Sequence, residues 1–329
     1  MTTESPGKVV TFGELMLRLN PPDHQRLVQA HAFEVRFTGG EANAAVLLAG
    51  LDVPATTISR VPAHELGQAC INYLRRFGVD TSHIARGGDR LGLFYLETGA
   101  AQRPSKVIYD RDNAAIRGIT IADVDWPAAL EGASWLHFSG TAPALGPNVR
   151  EVLVAGLEEA RRRDVIVSCD LNYRAKLWGA EEPGPVMRQL MPFVNVLIGN
   201  EEDAAKVFGV RAERTDVSKG QLDTESYQRV AESLRDEFGF RFVATTLRTS
   251  RSASDNEWAG LLFDGASHYQ SRSYQILPIV DRVGGGDAFS GGLIYGLLHW
   301  NDPQRTVEFA AAASCLKHSI PGDFAPLTL

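Results

Sequence analysis

The sequence predicts an α/β fold: a doubly wound, mostly parallel sheet flanked by helices, with a small β-sheet lid beside it. Three observations predict it. From Trp135 onward, apolar runs of strand length alternate with longer helix-period runs, the rhythm of strand–helix–strand crossovers. Three separated half-apolar runs, residues 27–37, 92–97 and 106–109, fit a second, exposed sheet outside that core. A triple glycine, Gly284-Gly285-Gly286, lies between an apolar run at 276–280, expected to be a strand, and a small-residue helix pattern at 288–298.

Each element follows in order. Residues 8–12 read as a buried opening strand ending at Gly13 and Glu14, and 15–19 carry it on to the breaker Asn20-Pro21-Pro22. Residues 27–37 alternate as a half-exposed strand, 42–51 form a small-residue helix, 55–61 a strand and 66–77 an amphipathic helix. The regular half then gives a strand at 135–138, a helix at 149–163, and strands at 165–169 and 195–198. A helix at 224–238 and a strand at 241–247 follow. An antiparallel pair, 258–263 with 268–273, turns at Asp264-Gly265, and 306–317 is the last helix. In such sheets ligands sit beyond the carboxyl ends of the strands, which is where Asn172, Arg174, Asn200 and the glycine turn would lie.

The 329 residues are expected to form one domain, 1–329, with the lid built from about 15–37 and 91–112. Hydrophobic and charged fractions of 44% and 22% are those of a soluble globular protein. A net charge of −7 argues against nucleic-acid binding, and no apolar run reaches membrane-span length. The first seven residues lack the basic and apolar regions of a leader, so a cytoplasmic protein is expected. Three distant cysteines, Cys70, Cys169 and Cys315, indicate neither a disulfide framework nor a zinc site.

Two stretches carry chemistry. In Asp281-Arg-Val-Gly-Gly-Gly-Asp287, successive backbone N–H groups at a helix start suit a phosphate or a developing anion, and Asp287 stands ready as a proton acceptor. An ordinary glycine-rich connection with a helix N-terminal aspartate fits the same seven residues. No GxxxxGK[ST] pattern occurs. In Gly39-Gly-Glu-Ala-Asn43, glycines permit close approach of a ligand and Asn43 could bind a sugar hydroxyl; close packing of a small-residue helix is the alternative. The lid runs carry Tyr95, Tyr109, Arg111 and Asn113, which read either as surface and dimer contacts or as a polar wall.

With both glycine signatures in this order, Asn200-Glu-Glu-Asp203 between them and lid-like strands beside them, nearly the whole chain resembles the ribokinase-like (PfkB) sugar kinases. That resemblance implies a ribokinase-like doubly wound domain whose lid often pairs with another subunit, here a homodimer or higher homo-oligomer. It also implies phosphorylation of a hydroxymethyl group with ATP and Mg²⁺, and K⁺ as a further cation. Asp287 would be the catalytic base and Gly284, Gly285 and Gly286 the anion hole, with Gly39, Gly40 and Asn43 on the sugar. Asn200 would lie near the nucleotide phosphates, Asp203 near hydrated Mg²⁺, and Asp281 at a monovalent-cation loop.

Two departures stand out. The family's Asn-x-x-Glu reads Asn200-Glu-Glu-Asp203, and its Lys-x-Gly-x-x-Gly nucleotide loop is replaced by residues 246–254, leaving Thr246, Arg248 and Ser250 as phosphate contacts. The last helix and residues 317–322 would wall the adenine, with Ser314 and Lys317 contributing.

Within the family the chain is most similar to 2-keto-3-deoxygluconate kinases, through residues 13–21, Tyr109-x-Arg111 and 170–178. The resemblance implies Tyr95, Tyr109, Arg111 and Arg174 on a sugar acid, and an arginine fork matches a carboxylate; Asn172, beyond a strand end, is a further substrate-binding candidate. A kinase for ribose, fructose or another keto acid, and a non-catalytic sugar-binding protein, remain as alternatives.

Overall fold

A computed structural model describes residues 7–178, 183–200, 202–211 and 224–329. The first six residues, which bear on the leader, and Glu201 of the Asn200–Asp203 stretch lie outside the described residues.

Nine strands build the main sheet path. They are β1 (Lys8–Phe12), β4 (Ala55–Val61), β5 (Ile84–Arg86), β8 (Ala133–Ser139), β9 (Ile166–Asp170), β10 (Val196–Asn200), β11 (Phe242–Ser250), β12 (Asn256–Phe263) and β13 (His268–Gln270). Their order is β13-β12-β11-β10-β9-β8-β1-β4-β5, with β14 (Tyr274–Ile276) paired to β12 as a tenth strand. Every pairing from β11 to β5 is parallel, and β12 adds an antiparallel edge. The chain winds one way from β1 through β4 to β5 and the other way from β8 to β11. The winding reverses between β1 and β8, where a ligand crevice is expected beyond the strand ends.

Burial on both faces explains the near-continuous apolar strands. Val9 faces one core, with helices Gly40–Gly50, Gly285–His299 and Pro303–Lys317; Val10 and Phe12 face the other, with helix Pro147–Arg162. Trp135 and Leu136, and Val196 and Leu197, divide the same way. Each fully buried Leu or Ile contributes ~1.5–3 kcal/mol relative to exposure. Small residues let three helices approach closely: a β-carbon on Gly292 would stand 2.9 Å from Ala310 Cα, and one on Gly291 3.0 Å from Leu47 Cδ2.

The second sheet has four strands, β2 (Met16–Asn20), β3 (Glu34–Thr38), β6 (Gly92–Glu97) and β7 (Lys106–Asp110), in the order β3-β2-β6-β7. Three expectations are corrected here. Residues 15–19 do not prolong β1; the chain leaves one sheet for the other at Gly13, where a β-carbon would stand 2.0 Å from the Glu41 carboxylate. Residues 27–37 are not one strand: a single 3₁₀ turn, Leu27–Gln29, leaves Val28 84% exposed, and pairing starts only at Glu34. Residues 276–280 are not a buried strand either. Pro278 has no N–H to donate, and Leu277 and Val280 are exposed.

Candidate active site

A cavity of about 770 Å³ lies between the carboxyl ends of the parallel strands and the four-stranded sheet. Its floor is the glycine turn. Gly284 has φ +84°, and a β-carbon there would meet the Asp323 carbonyl oxygen at 2.0 Å, so only glycine fits. A β-carbon on Gly285 would lie 2.6 Å from the His318 ring, whereas one on Gly286 would point into open space. The Gly285 N–H is taken by the Arg282 carbonyl at 3.3 Å, while among the described residues the N–H groups of Gly286 and Asp287 that follow have no backbone partner, with the positive end of the helix dipole behind them.

Asp287 stands in the first turn of that helix. Asn43 Nδ2 donates to its carboxylate at 2.6 Å, and Asn43 is itself aimed by Thr38, whose Oγ1 donates to its Oδ1 at 3.1 Å. Desolvation at the cavity floor pushes the Asp287 pKa up to about 6, against the opposing pull of Asn43 and Arg174. Gly40 lets these groups crowd together: a β-carbon there would lie 3.3 Å from Asp287 Oδ1 and 3.6 Å from Asn172 Nδ2. Gly39 is forced by its neighbour, since a β-carbon would stand 2.2 Å from the Glu14 carbonyl. Close packing therefore accounts for Gly39, while Gly40 and Asn43 line the cavity beside Asp287.

Further carboxylates flank Asp287. Glu41 is buried, accepts from Ser139 Oγ at 2.6 Å, and is raised to about 7 by desolvation. Burial, then Asp203 and Asp287, hold Asp170 well above the usual range. Asp203 is raised by burial and spends its carboxylate on the backbone N–H groups of Tyr173 and Asn200, at 3.2 and 3.1 Å. Among the described residues no three side chains form a ready metal cage. An uncompensated group of acids beside a phosphate-sized cradle fits Mg²⁺ that is held chiefly by phosphates and water.

At the opposite end Met16, Phe94, Tyr109, Arg111, Asn172, Tyr173 and Arg174 line the cavity. Arg111 lies over the Tyr109 ring at 5.6 Å and is tied to buried Glu14, its Nε donating at 2.8 Å. Arg174 is exposed to the cavity and donates only to the Tyr173 carbonyl, at 3.0 Å; among the described residues no carboxylate ion-pairs with it. It is the available guanidinium for an acid. Asn172, at φ +37°, presents a buried Oδ1 without a partner.

Tyr95 is a correction. Side chains alternate along β6, so Phe94, opposite Tyr109 on β7, faces the cavity, and Tyr95 packs on Phe33 at 5.9 Å on the outer face.

Around the glycine turn Asn200, Thr246 and Arg248 line the wall with Gly284 and Gly286. Ser250 does not: it lies past the rim and donates to Asn256 Oδ1 at 3.1 Å. Ser314 and Lys317 are fully buried beneath the turn rather than in the cavity. Ser314 Oγ donates to the Gly285 carbonyl at 2.7 Å, and Lys317 Nζ to the carbonyls of Asp281 and Ile320, each at 3.1 Å. Asp281 is also outside the cavity, its carboxylate filled by Arg18 Nη2 at 2.6 Å and the N–H groups of Val283 and Gly322. The donor set expected for K⁺ is therefore already taken.

Cavity residues not singled out from the sequence include Asn256, Trp258 and Arg282, whereas His318 lies within the 317–322 segment expected to wall the adenine. Asn256 Nδ2, Trp258 Nε1 and Arg248 Nε are buried donors without partners. Asn256 and Trp258 are two apart on β12, and Trp258 is opposite Arg248, so strand parity was the signal that could have found them. Arg282 is held by the Ser252 and Ala253 carbonyls, and among the described residues no carboxylate ion-pairs with it; burial and then Arg248 pull its pKa down, against Asp281. His318 donates to the Ser314 carbonyl and is depressed to about 4 by burial, so it is neutral at pH 7.

The whole arrangement has counterparts among known proteins. The pfkB family carbohydrate kinase model matches residues 6–327. A 2-dehydro-3-deoxygalactonokinase from Haloferax volcanii is 32% identical, covering 98% of this chain and 94% of its own length. A 5-dehydro-2-deoxygluconokinase from Clostridium perfringens is 26% identical, covering 94% and 86%. The crystal structure of a 2-dehydro-3-deoxygluconokinase from Thermotoga maritima superposes with a TM-score of 0.93 at 49% identity, over 98% of this chain and 95% of that one. With an anion cradle, a recessed carboxylate and a family match along nearly its whole length, this chain belongs to the pfkB family of carbohydrate kinases.

Proposed function

We propose that the protein transfers the γ-phosphoryl group of ATP to the C6 hydroxyl of 2-keto-3-deoxygluconate. The observation that carries the reading is the single cavity in which Asp287 and the bare glycine turn face an unpaired guanidinium, Arg174. The kinship with sugar-acid kinases supports it. Asp287 takes the C6–OH proton as the hydroxyl oxygen bonds to phosphorus and the bond to ADP breaks. Charge growing on the transferred group meets the N–H groups at the start of helix Gly285–His299, with Arg248 and Arg282 beside them. Mg²⁺, when bound with the triphosphate, adds charge neutralisation and geometry. Arg174 and Asn172 hold the far end of the substrate, and Tyr109 and Phe94 on the lid keep water out. A cytoplasmic setting, where ATP and sugar acids meet, fits this reaction.

Turnover over a panel of 2-keto-3-deoxygluconate, its galactonate epimer, 5-keto-2-deoxygluconate, ribose and fructose tests the substrate. The gluconate acid should give the highest kcat/KM. The Haloferax relative makes the epimer the second reading, and comparable rates on both acids would favour one enzyme for the pair. Arg174→Ala should raise KM for the acid by about 10–100-fold, the range for lost charged hydrogen bonds, and leave neutral sugars nearly unchanged. Equal losses on acids and neutral sugars would remove carboxylate recognition.

A further inference from the structure

Arg18 is 1% exposed although it belongs to the four-stranded sheet. On β2 it stands beside Phe94 of β6, on the sheet face that looks towards the cavity floor, and its guanidinium reaches past the cavity into the loops beneath the glycine turn. Nη2 donates to Asp281 Oδ2 at 2.6 Å, and Nη1 donates to Asp323. Both acids have further donors: Asp281 accepts from the N–H groups of Val283 and Gly322, and Asp323 Oδ2, at 2.7 Å, shares the one Thr38 hydroxyl proton with Asn43 Oδ1. The nearby carbonyls of Asp281 and Ile320 are taken by Lys317 Nζ. The cluster touches the catalytic turn directly, since the Asp323 carbonyl fills the space a β-carbon on Gly284 would need.

A monovalent cation needs several oxygens with free lone pairs. Here a carboxylate pair and two carbonyls already receive guanidinium and ammonium donors, so the residues do not fit K⁺. We infer that Arg18, with Lys317, is a tethered replacement for a loop-bound monovalent cation, and that ATP binding and phosphoryl transfer in this protein are independent of K⁺. A guanidinium stays charged at every working pH and cannot diffuse away, so the turn is organised whatever the salt. Arg18 is a positioning residue: it acts on the phosphate cradle through the 281–284 and 320–323 segments. The same bond anchors the lid to the cradle.

The inference rests on the kinase reading, and ATP titration separates the two because it needs no sugar. ATP affinity is measured by calorimetry, and turnover by coupled assay, in K⁺, Na⁺ and tetramethylammonium chloride at one ionic strength. Values within about twofold across the salts are expected; a loss of about tenfold or more in tetramethylammonium overturns the inference. Absence of ATP binding in all salts would end the nucleotide reading and this inference with it. Arg18→Ala should weaken ATP by about tenfold or more, with partial recovery in K⁺ or low-millimolar guanidinium. Wild-type ATP affinity in Arg18→Ala overturns the assignment to Arg18. If that variant does not fold, Arg18→Lys is read in the same salts, where a new K⁺ response supports the inference and unchanged salt-blind affinity refutes the need for the fork.

Discussion

At Gly286 the ideal β-carbon position is open cavity, while one residue earlier it collides with the His318 ring. The two glycines therefore do different jobs. Gly286→Ala should fold with an unchanged melting temperature yet lose ATP turnover by about 100-fold, because a methyl fills the space of a phosphate oxygen. Gly285→Ala should lower stability by roughly 1–3 kcal/mol through overpacking, visible in thermal melts without ligand. Asp287→Asn should lose at least ~100-fold in kcat, the lower range for a lost general base, and near-normal turnover would remove Asp287 from the mechanism. Its stability has a defined sign. A carboxylate raised to about 6 is harder to ionise folded than unfolded, so wild type forfeits stability as pH rises from about 4 to 6. Asp287→Asn should gain on wild type across that window, by on the order of 1–2 kcal/mol given water in the cavity, and the gain should be flat above it. Asp287 and Asn43 were legible because glycine signatures flank them. Ser314 and Lys317 were misplaced because a helix pattern does not reveal which of its polar residues faces a ligand and which supports a buried carbonyl. His318, one position on, was covered only as part of the 317–322 segment and not by name.

At the scale of elements, the lid sheet shows what parity decides. The rung Phe94 and Tyr109 faces the cavity, and the next rung, Val35, Leu19, Tyr95 and Ile108, faces outward. Both tyrosines looked equivalent in sequence, but counting residues between Phe94 and the end of β6 would have parted them. The outer rung with Val28 and Phe33 leaves an apolar face: Val28 is 84% exposed, Val35 56% and Ile108 43%. Such a face on a sheet that closes a site favours a partner of the same kind. Sedimentation should show a dimer that Ile108→Asp converts to a monomer; a monomeric wild type would exclude pairing through the lid. The β11–β12 ladder makes the same point at the other end of the cavity, where antiparallel pairing brings Trp258 opposite Arg248 and both line the wall.

For the whole molecule, alternating strand and helix patterns made the parallel core readable, and the reversal between β1 and β8 explains why the cleft is where it is. What could not be read was the crossing between sheets at Gly13, where the space a side chain would need is filled by a carboxylate from elsewhere in the chain, Glu41. The clamp on the glycine turn was hidden for the same reason: Arg18 and Asp323 are 305 positions apart, and Asn43 and Asp287 are 244 apart. That separation has a consequence for biosynthesis. Until residues 281 and 323 have been synthesised, Arg18 lacks both carboxylates it is buried against, so this tie between the lid and the glycine turn can close only when the chain is nearly complete.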